Sequence, residues 1–186
     1  IEQQGFVDWE LCLVDDGSSD EEVLAELRAR SSSEARIVLI ERPVAGGIVA
    51  ASNDAIAQAT GEFVVLVDHD DTIEPDALAV IADALDADPT IDYLYTDEDK
   101  IAPDGSTFDT FFKPDWSPER LRSQNYCTHL SELRRSVVDE VGGFRDGFDG
   151  SQDHDLILRV SERSRTIWHV PQVLYHWRIT PESTAG

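Results

Sequence analysis

Residues Asp68-His69-Asp70-Asp71 place three carboxylates and an imidazole in four consecutive positions. Like charges at that spacing repel one another and resist desolvation, so the arrangement calls for a cation. Carboxylate oxygens are hard donors that suit Mg²⁺ or Mn²⁺. The run Phe63-Val64-Val65-Leu66-Val67 comes directly before them. Such an apolar, β-branched run reads as a buried strand of an α/β sheet. Ligands of open α/β sheets bind outside the carboxyl ends of the strands. The acids therefore stand where a ligand is expected, with Asp71 as the residue that caps the next helix.

Other acidic groups follow apolar runs in the same way. Asp15-Asp16-Gly17-Ser18 comes after Leu11–Val14, and Asp-Gly is ordinary turn chemistry. Gln152-Asp153-His154-Asp155 opens a helical pattern, where Asp153 suits an N-cap and the helix dipole. Thr96-Asp97-Glu98-Asp99 ends a third apolar run and reads equally as a solvated turn or the wall of a cleft. His176-Trp177-Arg178 ends a fourth, where a histidine serves the fold more often than it binds a ligand.

The elements that must position these groups alternate. Leu11–Val14 is a strand, and Ser19 or Asp20 caps a helix to about Arg30. Arg36–Ile40 is a second strand. Gly46-Gly47 opens a helix with Ile48, Ala51, Ala55, Ile56 and Ala59 on one face. Phe63–Val67 follows. Pro75 suits the first turn of a helix that buries Leu78, Ile81 and Leu85. Ile91–Thr96 is another strand. This alternation predicts a mostly parallel central sheet with helices on both faces. Residues 97–128 lose the helical period and carry a strand near Thr107–Lys113 and a loop at Pro114–Pro118. A helix is expected from about Ser131 to Val141, another from near Gln152, and a last strand over Ile167–Tyr175.

The chain has 186 residues, enough for one domain with its own core. Against 38 Asp and Glu stand 15 Lys and Arg, a formal charge of −23, and only Lys100 and Lys113 are lysines. Such a surface repels nucleic acid and anionic membrane, which argues against both as direct partners. Cys12 and Cys127 are distant and no CxxC occurs, so neither a disulfide framework nor a zinc knuckle is expected. No apolar run is long enough to cross a membrane, and the chain opens at Ile1 without Met. A piece of a longer protein is therefore expected.

Taken jointly, the segments "VDDGSSD", a GG-led helix with Asn53, "ATGEFVVLVDHDD", "GGFRDGFDGSQDHDLILRV" and "VPQVLYHWR" resemble the family 2 glycosyltransferases of the GT-A fold. The resemblance covers nearly the whole chain. "YTDEDKI" and "FKPDWSPERLRSQNYCTHL" are similar to the O-antigen or rhamnan-type sugar transferases. It implies one GT-A domain, with 1–100 as the nucleotide-binding half and 101–186 as the acceptor and catalytic half. It also implies a first strand lying before residue 1, next to the nucleotide.

The resemblance assigns roles residue by residue. Asp15 and Asp16 match the pair that binds the base and ribose, since a carboxylate accepts the N–H of a base. Asp68 and Asp70 match the DxD motif, with Asp70 the direct ligand of Mn²⁺ or Mg²⁺ and Asp68 on ribose or metal-bound water. His176 matches a third metal ligand found in some GT-A enzymes. The ion would neutralise the diphosphate of a nucleotide-sugar donor as the glycosidic bond breaks. Asp153 matches the catalytic base, which takes the proton of the acceptor hydroxyl in one inverting displacement. Gln152 stands where the family often has Glu. Asp97, Glu98, Trp116, Trp177 and Arg178 are expected to line the sugar or acceptor side, Trp116 as a stacking platform.

The implied function is metal-dependent transfer of a sugar to a glycan or lipid-linked acceptor in cell-envelope polysaccharide biosynthesis. The implied place is the cytoplasm, at the inner membrane face through peripheral association. A non-catalytic nucleotide-sugar-binding or scaffolding module of the same fold is the alternative. A nucleotidyltransferase is a further one, but no Gly-rich basic phosphate loop is present to support it.

Overall fold

The computed structural model describes residues 1–179. Strand β1 (Leu11–Asp15) runs parallel to β2 (Ile37–Glu41), with Leu11 opposite Ile37 and Asp15 opposite Glu41. Helix α1 (Glu21–Ser33) joins them, and the Asp20 carboxylate caps it by accepting from the N–H groups of Glu22 and Val23. Helix α2 (Gly47–Gln58) and strand β3 (Phe63–Leu66) follow, then the short β4 (Thr72–Ile73) and helix α3 (Ala77–Ala87).

Strand β5 (Ile91–Ile101) forms the middle of a second, six-stranded sheet. After it come β6 (Thr107–Phe111), α4 (Pro118–Ser123), β7 (Ser131–Arg134), α5 (Arg135–Val141), α6 (Gln152–Ser161) and β8 (Thr166–Arg178). The strand order is β3-β7-β5-β8-β4, with β6 paired to β5. Side chains of β5 alternate between two cores, as pleating requires. Tyr93 and Tyr95 join residues of α2, α5 and α6, such as Val49, Val138 and Leu156. Leu94 joins Ala77 and Ile81 of α3 with Val170 and Leu174 of β8.

The α/β class with helices on both faces is as expected, but the sheet is mixed. Only β1–β2 and β5–β8 are parallel; β3–β7, β4–β8, β5–β6 and β5–β7 are antiparallel. The alternation that predicts parallel strands stops at the end of β5. Strand β7 then enters between β3 and β5, antiparallel to both, after β6 and α4.

The helix expected to start at Ser131 starts at Arg135 instead. Residues Ser131-Glu132-Leu133-Arg134 lie between two strands, opposite Leu66 to Phe63 on one side and Tyr95 to Tyr93 on the other. Pairing on both edges overrides local helix propensity. Gly142, at φ +81°, ends α5 in the left-handed conformation.

Candidate active site

Five pieces of chain meet at the end of β3: residues 68–71, the second half of β5, the segment before β7, the first turn of α6 and the end of β8. Asp68, Asp71 and His129 each offer one donor atom, and these atoms lie within 4.8 Å of one another. Strand β8 holds the 68–71 turn. Tyr175 Oη donates to Asp71 Oδ2, and the Asp68 N–H donates to Tyr175 Oη at 3.3 Å. The Arg178 N–H donates to Asp71 Oδ1, and Arg178 Nε to the Asp70 carbonyl, each at 2.7 Å. Asp71 is therefore tied to β8 and is not the cap expected of it, since α3 begins only at Ala77.

His129 sits between two carboxylates. Its Nε2 lies 3.7 Å from Asp68 Oδ2 and its Nδ1 3.4 Å from Glu98 Oε2. Burial opposes the imidazolium, but Asp68 and Glu98 outweigh it and lift the pKa to about 9. His129 in turn holds the Asp68 carboxyl below its ordinary range, against burial. Two carboxylate oxygens and an imidazole nitrogen are a donor set that Mn²⁺ or Mg²⁺ accepts. An ion held there would take the place of the His129 proton, because only the neutral ring ligates.

Asp153 stands in the first turn of α6. Burial raises its pKa, the charge of Asp68 adds to the rise, and His129 partly offsets both. Gln152 bridges the helix start: its Oε1 accepts from the Gly150 N–H at 2.8 Å and its Nε2 donates to Asp153 Oδ2 at 3.2 Å. The arrangement presents a half-buried carboxylate with raised basicity, electrostatically coupled to the donor cluster.

Asp15 and Asp16 both shape turns. Asp15 Oδ2 accepts from the N–H groups of Gly17 at 3.2 Å and Ser18 at 3.1 Å. Asp16 accepts from Gly46 and Gly47 N–H, each at 2.8 Å, and pairs with Arg42 Nε at 2.9 Å. Gly17 makes this possible: at φ +78°, a Cβ there would meet Ala45 N at 2.8 Å.

Several expected site residues lie elsewhere. Asp97 is 1% exposed, and its Oδ1 accepts from the Lys113 N–H and from His169 Nε2, each at 2.8 Å. It therefore braces the interior and does not line a cleft. Trp116 is partly buried against the core, with its ring in an edge-to-face contact with Tyr93 at 6.4 Å. His176 is held between Asp99 Oδ1 at 2.6 Å and Glu74 Oε1 at 3.1 Å, outside the donor group. The Asp70 carboxylate is also outside that group. Glu98 does face the cluster, and Trp177 lies 6.1 Å from His129 with Lys100 over its ring.

Sequence reasoning overlooked His129, Lys113 and Tyr175. Lys113 and His129 both fall in "FKPDWSPERLRSQNYCTHL", where the chain has no periodicity. The one available signal is a lysine, one of two in the chain, within a stretch that also carries two prolines and three aromatic rings.

Comparison with known proteins bears on this geometry. The profile described as Glycosyl transferase family 2 matches residues 1–142. The O-antigen biosynthesis protein RfbC of Myxococcus xanthus is 42% identical over 178 residues, covering 96% of this chain and 14% of that protein. Staphylococcus aureus TarS residues 1–349, solved in complex with UDP, superpose with a TM-score of 0.78 at 22% identity, covering 97% of this chain and 54% of that one. The Pyrobaculum calidifontis mannosyltransferase PcManGT, solved with GDP-Man and Mn²⁺, gives 0.71 at 19% identity, covering 98% and 52%. The fold is that of the GT-A glycosyltransferases, and the chain spans a small part of the curated relatives it matches. No helix among the described residues is long and apolar enough to cross a membrane. With the profile matched over three quarters of its length, the chain belongs to glycosyl transferase family 2.

Proposed function

We propose that this domain transfers a sugar from a nucleotide-diphosphate donor to a glycan or lipid-linked acceptor, with inversion and with a divalent cation, in cell-envelope polysaccharide biosynthesis at the inner membrane face. The observation that carries this reading is the Asp68–Asp71–His129 donor group, its donor atoms within 4.8 Å of one another, with Asp153 close enough to feel the charges of Asp68 and His129. Asp68, Asp71 and His129 would hold Mn²⁺ or Mg²⁺, with Asp70 beside them. Such an ion neutralises the diphosphate leaving group. Asp15 and Asp16 receive the base and ribose, and residues 1–100 form the nucleotide half. The acceptor oxygen attacks the anomeric carbon as the bond to the diphosphate breaks, and Asp153 takes the hydroxyl proton. Glu98, Trp177 and Arg178 border the sugar side.

Titration calorimetry with UDP, GDP and dTDP, with Mn²⁺ and then with EDTA, tests the reading. One nucleotide should bind with Mn²⁺ and be lost with EDTA. Asp68→Ala and Asp71→Asn, which each remove a donor of the group, should abolish that binding. If no nucleotide binds, or if EDTA changes nothing, the proposal fails.

A further inference from the structure

Lys113 follows β6 and carries an ammonium with no exposed side-chain surface. Taking such a charge out of water costs several kcal/mol unless its protons find partners. All three do. Nζ donates to Glu98 Oε2 at 3.0 Å, to the Cys127 carbonyl at 3.4 Å and to the His129 carbonyl. The Lys113 N–H adds a bond to Asp97 Oδ1 at 2.8 Å, which anchors the residue to β5.

The partners have something in common. Two are carbonyls of the segment that carries His129. The third, Glu98, approaches His129 a second time, with Oε2 at 3.3 Å from the His129 N–H and 3.4 Å from Nδ1. Lys113 thus grips His129 directly by its backbone and indirectly by its ring, through Glu98. It is fully enclosed, so it contacts no ligand in the open site.

We propose that Lys113 is a positioning residue: by pairing Glu98 and the 127–129 carbonyls it fixes the His129 ring against Asp68, and so sets the affinity of the cation site. The inference rests on the metal-dependent reading above. A purely structural lysine would change stability alone. A positioning lysine also changes the environment of the His129 ring and the cation affinity, since partners of metal ligands typically contribute about 10–100-fold.

The test compares wild type with Lys113→Met and Lys113→Arg in two measurements. One is the imidazole NMR signal of His129, assigned with His129→Asn. The other is Mn²⁺ affinity by calorimetry. Melting curves identify the folded variants, and Lys113→Arg keeps the charge inside should Lys113→Met fail to fold. Folded variants should shift or broaden the His129 signal, leave His154 unmoved and bind Mn²⁺ about tenfold more weakly or worse. A wild-type His129 signal with wild-type Mn²⁺ affinity in a folded variant overturns the inference. If wild type binds no Mn²⁺, the metal-dependent reading fails, and the His129 signal still decides whether Lys113 positions the ring.

Discussion

The imidazole of His129 lies flat on the phenol ring of Tyr175, with centroids 4.5 Å apart and planes inclined by 8°. The Tyr175 hydroxyl reaches Asp71 and the Asp68 N–H on the other side. One side chain therefore supports all three members of the donor group. Tyr175→Phe keeps the stack and removes the hydroxyl. It should weaken Mn²⁺ binding about tenfold and lower stability by about 1 kcal/mol. Calorimetry and urea unfolding measure the two effects, and unchanged Mn²⁺ affinity would remove Tyr175 from the site's support.

Asp153→Asn should leave donor binding intact and slow sugar transfer by about 10²–10⁴-fold. A base must be ionised to act, and burial, with Asp68 adding, raises its carboxyl above the ordinary 3.8. Activity should therefore fall on the acid side at a higher pH than an ordinary aspartate would give. A kcat–pH profile with its acid limb at or below the ordinary carboxylate range contradicts the assignment, as does turnover in the Asn variant.

Glu132 of β7 is a liability inside the sheet. Its cross-strand neighbours are Val65 and Leu94, and its Oε2 has no partner among the described residues. Burial alone pushes its pKa from 4.5 up to about 8. Between those values the unfolded chain ionises while the folded chain keeps its proton, so this residue costs stability as pH rises through the interval. Glu132→Leu should recover up to about 3 kcal/mol at pH 7 and nothing near pH 4. A stability difference that is flat with pH would refute this.

Asp92 shows the opposite case. Its carboxylate accepts from Arg134 Nε at 2.6 Å, from Arg165 Nη2 at 2.6 Å and Nε at 2.9 Å, and from the Arg165 N–H at 2.8 Å. Arg165 above all brings its pKa to about 2, with Arg134 assisting, against burial. That stabilisation is complete above the ordinary 3.8 and is lost as pH falls toward 2. Asp92→Ala should cost about 2 kcal/mol at pH 7, the free energy carried by the lowered pKa of its carboxylate. The loss should shrink in unfolding curves recorded near pH 2.5.

The first half of the chain is legible in sequence because each element bounds itself. Asp20 caps α1, Gly46-Gly47 opens α2, and the β-branched run at 63–67 ends in acids, two of which group with His129. The second half depends on partners distant in the chain. Ser131–Arg134 becomes a strand only because β3 and β5 receive it on both edges. Asp97 and Glu98 are adjacent acids that sequence alone does not tell apart, yet pleating turns one toward His169 and the other toward His129. His176 matches a ligand position by motif, but Asp99 and Glu74 take both of its nitrogens.

The Asp16 carboxylate on the Gly46 and Gly47 amides has a wider meaning. The start of a helix is where α/β proteins commonly seat a phosphate, with free N–H groups and the positive end of the dipole. Here α2 has already spent that seat on an anion of its own chain. A diphosphate, as the proposed donor carries, would find the Gly46 and Gly47 amides already paired, and its charge would be met instead at Asp68, Asp71 and His129. Under the proposed function, this self-pairing at the start of α2 leaves the donor group of Asp68, Asp71 and His129 as the place where a cation would balance the diphosphate.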